Sequence, residues 1–372
     1  MSLKFCIAII SASAIYAAPT ASSSECKFET PDTSSTIDIT GFASLPKQLP
    51  KPHGKYGVGV VYGNMTDRSR TAIIGNYSEP RVLQLTTFYP TDEPPKATDE
   101  PKYYSDEKWK KVVKNSHLAE NTSNPNVSHW AVHKTEATNN KKMPVLLFSH
   151  GLWTPVEEYT ALCQEIASTG RIVIQITHSG YSFSTTLSDD YERETSCLFK
   201  AIPTCDFPPD SKEMADCIEA KCPGAYKNNI YPTFVDDVRY VLNNLKDLPA
   251  SPLTAKMDFT NIGVSGHSIG GATATNISMS GDYKNVRFGL NLDGDSKTFG
   301  THFDNLEKMV FKHFVSEMNS KLFVSEIPAK YQVVIPDSTH TDFQSDNIYT
   351  TKFDVFSDIH CKVMDFIENN WK

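Results

Sequence analysis

Residues Gly263 to Ala274 read Gly-Val-Ser-Gly-His-Ser-Ile-Gly-Gly-Ala-Thr-Ala, and Gly266-His267-Ser268-Ile269-Gly270 within them is a G-x-S-x-G run. In that pattern a serine occupies a sharp turn between a strand and a helix, where neighbouring side chains would collide unless they were absent. Gly266 and Gly270 meet the requirement. The flanks agree with it: Asn261-Ile262-Gly263-Val264 reads as a short buried strand, and Gly271-Ala272-Thr273-Ala274 opens a small-residue helix able to pack closely. A bare G-x-S-x-G arises by chance in many chains. The strand before it and the helix after it are what make Ser268 a candidate nucleophile.

Outward from this run, strand and helix patterns alternate from Met143 onward, which signals a mostly parallel sheet covered by helices. Val145 to Ser149 is a continuously apolar strand, Glu157 to Ser168 has helical spacing, and Arg171 to Thr177 returns as a β-branched strand. Phe234, Val238, Val241, Leu242 and Leu245 mark an amphipathic helix, Val286 to Leu292 and Tyr331 to Ile335 two further strands. A closing helix places Val355, Phe356, Ile359, Val363, Phe366 and Ile367 on one face. Lys308 to Phe314 fits helix or strand. Upstream, the alternation at Tyr56, Val58, Val60 and Tyr62 and the run Arg81 to Tyr89 predict an antiparallel opening, followed by a polar surface excursion over 91–140. The fold class expected is α/β: an α/β-hydrolase fold, with a mostly parallel central sheet, helices on both faces and a disulfide-stapled insertion. One domain over 53–372 with an insertion at 188–231 accounts for the length, preceded by a loosely ordered Ser, Thr and Pro rich lead-in over 18–52.

The first 17 residues carry Lys4, an apolar core from Phe5 to Ile10 and small residues around Ala14 to Ala18, the pattern of a secretory signal peptide. The apolar core is too short to span a bilayer, and the end at Trp371-Lys372 is unlike a lipid-anchor signal. The expected location is therefore extracellular. In that compartment Cys197, Cys205, Cys217 and Cys222 read as two disulfides of unassigned connectivity, with a zinc cluster as the rival. Of Cys26, Cys163 and Cys361 one has to stay free or pair between chains, and Cys163, on an apolar helical stretch, is the candidate buried thiol. Asn64, Asn76, Asn121 and Asn126 are glycan acceptors expected in polar loops, whereas Asn276 falls on the helix after Ser268. A formal charge of −8 argues against nucleic acid as a partner and against electrostatic attraction to anionic membranes. Contact with a lipid surface has two candidate patches, Val310, Phe311 and Phe314, or Leu198 and Phe199, with buried packing as the alternative for each.

A serine hydroxyl is a poor nucleophile at neutral pH, so Ser268 needs a histidine to take its proton and a carboxylate to hold that histidine. In an α/β-hydrolase chain these follow in the order serine, acid, histidine. Asp293 stands directly after the apolar run Gly289 to Leu292, with Asp295 two residues on; spacing does not separate them. For the base, His340 follows a strong β run and enters a loop, which sets it ahead of His302, His313 and His360. Asp337 lies too close to His340 to be the acid and is expected to cap or orient its loop. Two amide donors are needed for the oxyanion: the N–H of Ile269, next to the nucleophile, and that of Leu152 in Ser149-His150-Gly151-Leu152-Trp153, the loop after an earlier strand. Nothing in the chemistry calls for a cofactor or a metal ion.

Four blocks, Phe148 to Leu152, Gly266 to Thr273, Leu290 to Asp293 and Asp337 to His340, together with Thr87-Phe88-Tyr89-Pro90, resemble the plasma-type platelet-activating factor acetylhydrolases. The resemblance spans 82–342 in blocks only. It implies Ser268 as nucleophile, Asp293 rather than Asp295 as acid, His340 as base, and Leu152 and Ile269 as oxyanion donors. It further implies a calcium-independent esterase that removes short or oxidised acyl groups from the sn-2 position of phospholipids. The departures are the four-cysteine insertion, which would overhang the cleft, and Trp153, where a small residue is expected after His-Gly-Leu. A broader carboxylesterase, lipase or polyester hydrolase is the alternative within the class, and a non-catalytic secreted binding protein on the same fold is the alternative outside it.

Overall fold

The computed structural model describes residues 48–74, 77–93, 106–107, 110, 127–133, 135–138, 142–182, 204–205, 212–221, 230–249, 252–295, 303, 305–322, 327–345 and 353–372. Nine strands form one sheet: β1 (Gly57–Ile74), β2 (Tyr77–Thr91), β3 (Ala131–His133), β4 (Met143–Ser149), β5 (Ile172–His178), β6 (Met257–His267), β7 (Val286–Leu292), β8 (Val310–Ser316) and β9 (Gln332–Ile335). Their order is β3-β1-β2-β5-β4-β6-β7-β8-β9. β2 pairs antiparallel with β1 and with β5, and every pairing from β5 to β9 is parallel. Among the described residues six helices accompany it: α1 (Thr160–Ser168), α2 (Lys212–Lys221), α3 (Ile230–Asn243), α4 (Ile269–Ser280), α5 (Glu317–Leu322) and α6 (Phe353–Asn370). This is the expected α/β-hydrolase architecture.

The central strands are apolar at successive positions because both faces of the sheet are covered. Val145, Leu147, Ile172, Ile174 and Val264 pack on one side with Val238 and Val241 of α3 and Ile277 of α4. Leu146, Phe148, Val173 and Leu290 pack on the other with Leu162 and Ile166 of α1 and Ile359 and Val363 of α6. Each such side chain, once fully buried, contributes about 1.5–3 kcal/mol. Among the described residues no helix is long and apolar enough to cross a membrane.

Several expectations are revised. Val310 to Ser316, which fitted helix or strand, is a strand with His313 on it, and Phe311 and Phe314 are buried in the core, the packing reading of that group. Leu198 and Phe199 lie outside the described residues. The excursion over 91–140 returns to the sheet as β3, parallel to β1. Asn64 sits on β1, not in a loop, because the hairpin is longer than the alternation suggested; Asn276 is on α4, and Asn76, Asn121 and Asn126 lie outside the described residues. The end of the lead-in is packed: the N–H of Leu49 donates to Ser128 O (2.9 Å) and Trp130 Nε1 to Leu49 O (2.7 Å). The signal segment over 1–17 lies outside the described residues. Within 188–231, Cys205 and Cys217 form a disulfide that ties down α2, and α3 already begins at Ile230. Cys197, Cys222 and Cys26 lie outside the described residues. Cys163 is free and buried, and Cys361 is disulfide-bonded.

Six of the described histidines lie inside this packing, and burial lowers the pKa of His178 as it does those of the others. Burial first of all pushes His129, His313 and His360 down to about 4, and His150 and His267 down to about 3. The unfolded chain binds protons at these positions below about pH 6.5 while the folded chain refuses them, so stability falls as pH falls through that window, by about 1.4 kcal/mol per pH unit for each histidine. The aspartates held down by partners lose their contribution only below about pH 3.9 and do not act in the same window. Thermal midpoints recorded from pH 7.5 to 4.5 are expected to drop steeply below about 6.5. A flat profile would mean that these imidazoles are protonated or exposed in the native state.

Candidate active site

The carboxyl ends of β4, β6 and β7 lie side by side, with Ser149 opposite Gly266 and Gly266 opposite Asn291, at the edge of an α/β sheet where ligands bind. β6 delivers Ser268 into a turn with φ 57° and ψ −124°, and α4 starts at the next residue. The Ser268 N–H donates to Leu292 O (2.9 Å), which fastens the turn to β7. A Cβ on Gly270 would stand 2.2 Å from Ser149 O and 2.6 Å from His150 O. Helix and loop therefore meet backbone to backbone, and glycine is required for contact rather than for dihedral freedom.

Asp293 leaves β7 in a turn closed by Asn291, whose Oδ1 accepts from the Gly294 N–H (2.7 Å). Its carboxylate accepts from Ser316 N (2.7 Å), Ser316 Oγ (2.9 Å), Asn319 Nδ2 (2.8 Å) and His340 Nδ1 (2.8 Å). Burial alone would raise this carboxyl; the His340 hydrogen bond and charge and the Ser316 amide outweigh it and hold it below the usual carboxylate range. Asp295 is exposed. The geometry therefore separates the two aspartates that spacing left together.

His340 opens a single helical turn after β9. The cap is a Thr339–Asp342 box, with Asp342 Oδ2 accepting from Thr339 N (2.6 Å) and Thr339 Oγ1 (3.0 Å). Capping thus falls to Asp342 and not to Asp337, whose amide instead donates to Glu317 Oε2 (2.7 Å). The His340 Nδ1–H is directed at Asp293, leaving Nε2 as an acceptor 2.9 Å from Ser268 Oγ. Ser268 and His340 are half-buried while Asp293 is buried, so the serine and the imidazole reach toward solvent and the carboxylate does not. His313, on β8 beside Asn291, and His360 are buried in the core; His302 lies outside the described residues.

Leu152 follows β4 in the loop opposite the elbow, where its side chain packs with Ile269, Phe234 and the α2 residue Ile218. Ile269 opens α4, where the first N–H groups have no acceptor within the helix. Among the described residues the non-glycine residues at positive φ are Trp153 (64°), Ser268 (57°), Asp293 (55°) and Asp337 (56°), one in each of the four segments that converge here. Such strain costs on the order of 1–3 kcal/mol apiece and clusters where function requires a fixed direction.

His267, the variable residue of the G-x-S-x-G run, is fully buried and bridges two of these segments: its Nε2–H donates to His340 O (2.8 Å), and its Nδ1 accepts from Tyr159 OH (2.8 Å). Tyr159 OH in turn accepts from the Gly151 N–H (3.2 Å). Neither residue was singled out from the sequence, nor were Ser316 and Asn319; a tyrosine in the first turn of an apolar helix and a serine ending a strand carry no chemical signal until the fold joins them.

Residues 42–202 match the family model of platelet-activating factor acetylhydrolase, isoform II. The platelet-activating factor acetylhydrolase of Gallus gallus is 29% identical over 232 residues, covering 55% of this chain and 53% of that protein. The chain is similar to the platelet-activating factor acetylhydrolases. It spans about half the length of that curated relative, and the matched family segment includes the His150 to Leu152 loop but ends before Ser268. A ferulic acid esterase from Streptomyces cinnamoneus superposes with a TM-score of 0.60 over 87% of this chain and 93% of that one, at 20% identity, a likeness of fold.

A fluorophosphonate probe reads the reactivity of Ser268 directly. Asp293→Asn places an amide against the imidazole and selects the wrong tautomer, so labelling is expected to slow by about 10⁴-fold. Asp295→Asn should label at the wild-type rate; equal loss in both variants would contradict the geometry.

Proposed function

We propose that the protein is a secreted serine ester hydrolase that removes short acyl groups, with platelet-activating-factor-like or oxidised phospholipids as the substrate class. The observation that carries the reading is the unbroken chain from Ser268 Oγ to His340 Nε2 (2.9 Å) and from His340 Nδ1 to Asp293 Oδ2 (2.8 Å). Ser268 Oγ attacks the ester carbonyl as His340 Nε2 takes its proton, and the N–H groups of Leu152 and Ile269 receive the oxyanion. Collapse breaks the bond to the alcohol oxygen, which leaves with the proton from His340. Water then repeats the cycle on the acyl-enzyme, and Asp293 keeps the imidazole proton on Nδ1 throughout. The similarity to the acetylhydrolases supports the substrate class. The apolar wall made by Trp153, Tyr181, Ile218 and Phe234 beside Leu152, to which the two departures from that family contribute Trp153 and Ile218, favours a second reading as a broader carboxylesterase. Secretion rests on the pattern over residues 1–17 and accords with the Cys205–Cys217 disulfide.

Turnover of an ester series from acetyl to long acyl chains, with and without a calcium chelator, tests the proposal. Short-chain preference indifferent to chelator is expected, falling on the order of 10⁴-fold or more in Ser268→Ala. Activity confined to long chains would overturn the acetylhydrolase reading, and activity surviving in Ser268→Ala would overturn the nucleophile.

A further inference from the structure

The inference drawn here rests on the reading of Leu152 N–H as an oxyanion donor and concerns what aims it. A peptide unit is planar and trans, so the carbonyl of Gly151 and the N–H of Leu152 point in opposite directions and fixing one fixes the other. Gly151 O has two donors: Thr154 N (3.1 Å), within the turn, and His150 Nδ1 (2.6 Å). The tautomer of His150 follows from its other nitrogen, because the N–H of His178 donates to His150 Nε2 (3.0 Å) and leaves the proton on Nδ1. His150 is fully buried, and burial together with His178 beside it keeps the ring neutral, with its pKa pushed down to about 3. The flanking amides are occupied, Gly151 N by Tyr159 OH (3.2 Å) and Trp153 N by Tyr181 O (2.7 Å). Among the described residues, the amide of Leu152 is the one in the run 151–154 directed at no protein acceptor.

Behind His150 stands an anchor. His178 Nδ1–H donates to Asp237 Oδ2 (2.9 Å), Ser149 Oγ lies 3.2 Å from His178 Nε2, and Asp237 is held by Arg81 Nη2 (2.5 Å) and Arg70 Nη1 (2.9 Å). Ser149, His178 and Asp237 repeat the residue types of the catalytic chain, but all three are buried and the arginines take up the carboxylate charge. This second chain holds position and does not react.

We propose that His150 is a positioning residue: its Nδ1–H, through the carbonyl of Gly151, aims the Leu152 N–H at the oxyanion. Two neutral variants divide its two hydrogen bonds. His150→Gln extends an acceptor toward the His178 N–H and does not reach Gly151 O; His150→Asn keeps an N–H near the place of Nδ1 and gives up the bond to His178. The Gln variant is expected to lose about 10²-fold in kcat with KM within twofold, and to bind a trifluoromethyl ketone analogue weaker by the same factor, as for loss of an oxyanion donor. The Asn variant should recover most of both. Each keeps one of the two bonds, so a merely structural role would strike both alike in thermal midpoint and in kcat. Equal kcat in the two variants would overturn the proposal. A crystal structure of His150→Gln supplies a readout independent of activity: an unmoved Gly151 carbonyl also overturns the proposal, and a turned one supports it. If instead the wild type hydrolyses no ester in the series while that carbonyl turns, the esterase reading fails and the positioning stands.

Discussion

The close approach of α4 to the end of β4 governs the rest of the site. With the Gly270 backbone against the carbonyls of Ser149 and His150, there is no room for a methyl group between the nucleophile turn and the oxyanion loop. That contact sets how far apart Ser268, the Leu152 amide and the Ile269 amide sit, because all three hang on the two backbones that touch. The parallel register of β4, β6 and β7 brings the segments together, but register alone tolerates shifts of an ångström, and catalysis by fixed amide donors does not. Glycine at 266 and 270 is thus a distance constraint written as the absence of atoms.

A second consequence is the way strain and hydrogen bonding are divided. Trp153, Ser268, Asp293 and Asp337 each adopt positive φ without being glycine, and each conformation persists because neighbouring bonds over-determine it. Ser268 is tied to Leu292, Asp293 N–H to Phe314 O, Trp153 to Tyr181, and Asp337 to Glu317. His267 adds a cross-tie, since its neutral ring joins Tyr159, and through it Gly151, to the backbone of His340. The loops bearing Leu152 and His340 are in this way connected through the interior of the elbow.

What the sequence disclosed follows the same division. The elbow, strands β4, β5, β6, β7 and β9 and the closing helix were legible because continuous apolar runs and 3.6-residue spacing report burial on both sides of a sheet. Asp293 and His340 were legible as ends of such runs, although spacing left Asp295 level with Asp293, the resemblance alone favoured Asp293, and the carboxylate itself lies between Ser316, Asn319 and His340. The antiparallel opening was legible but the full length of its β1–β2 hairpin was not, nor was the form of β8: Val310 to Ser316 mixes Lys312 and His313 into an apolar run, and only its neighbours in the sheet decide its form. Asp237 did leave a trace, a charge three residues after Phe234 on the apolar stripe of α3, yet its partners Arg70, Arg81 and His178 are remote in the chain.

The two Ser–His–Asp chains show why residue types at hydrogen-bond distance do not by themselves make a catalyst. In both, an aspartate accepts from a histidine Nδ1 at 2.8–2.9 Å and a serine oxygen lies 2.9–3.2 Å from Nε2. They differ in what surrounds the charge. At Asp237 burial opposes ionisation and the guanidinium of Arg81 prevails, holding the carboxyl well below its usual range; burial, with Arg81 and Arg70 beside it, lowers the pKa of His178 in spite of the Asp237 hydrogen bond and charge. At Asp293 the donors are neutral apart from His340 itself, so in the proposed mechanism the carboxylate would keep its charge for the imidazolium. The first arrangement suits an anchor because nothing in it gains by moving a proton. The second suits a reaction because its charge remains uncompensated until His340 takes one.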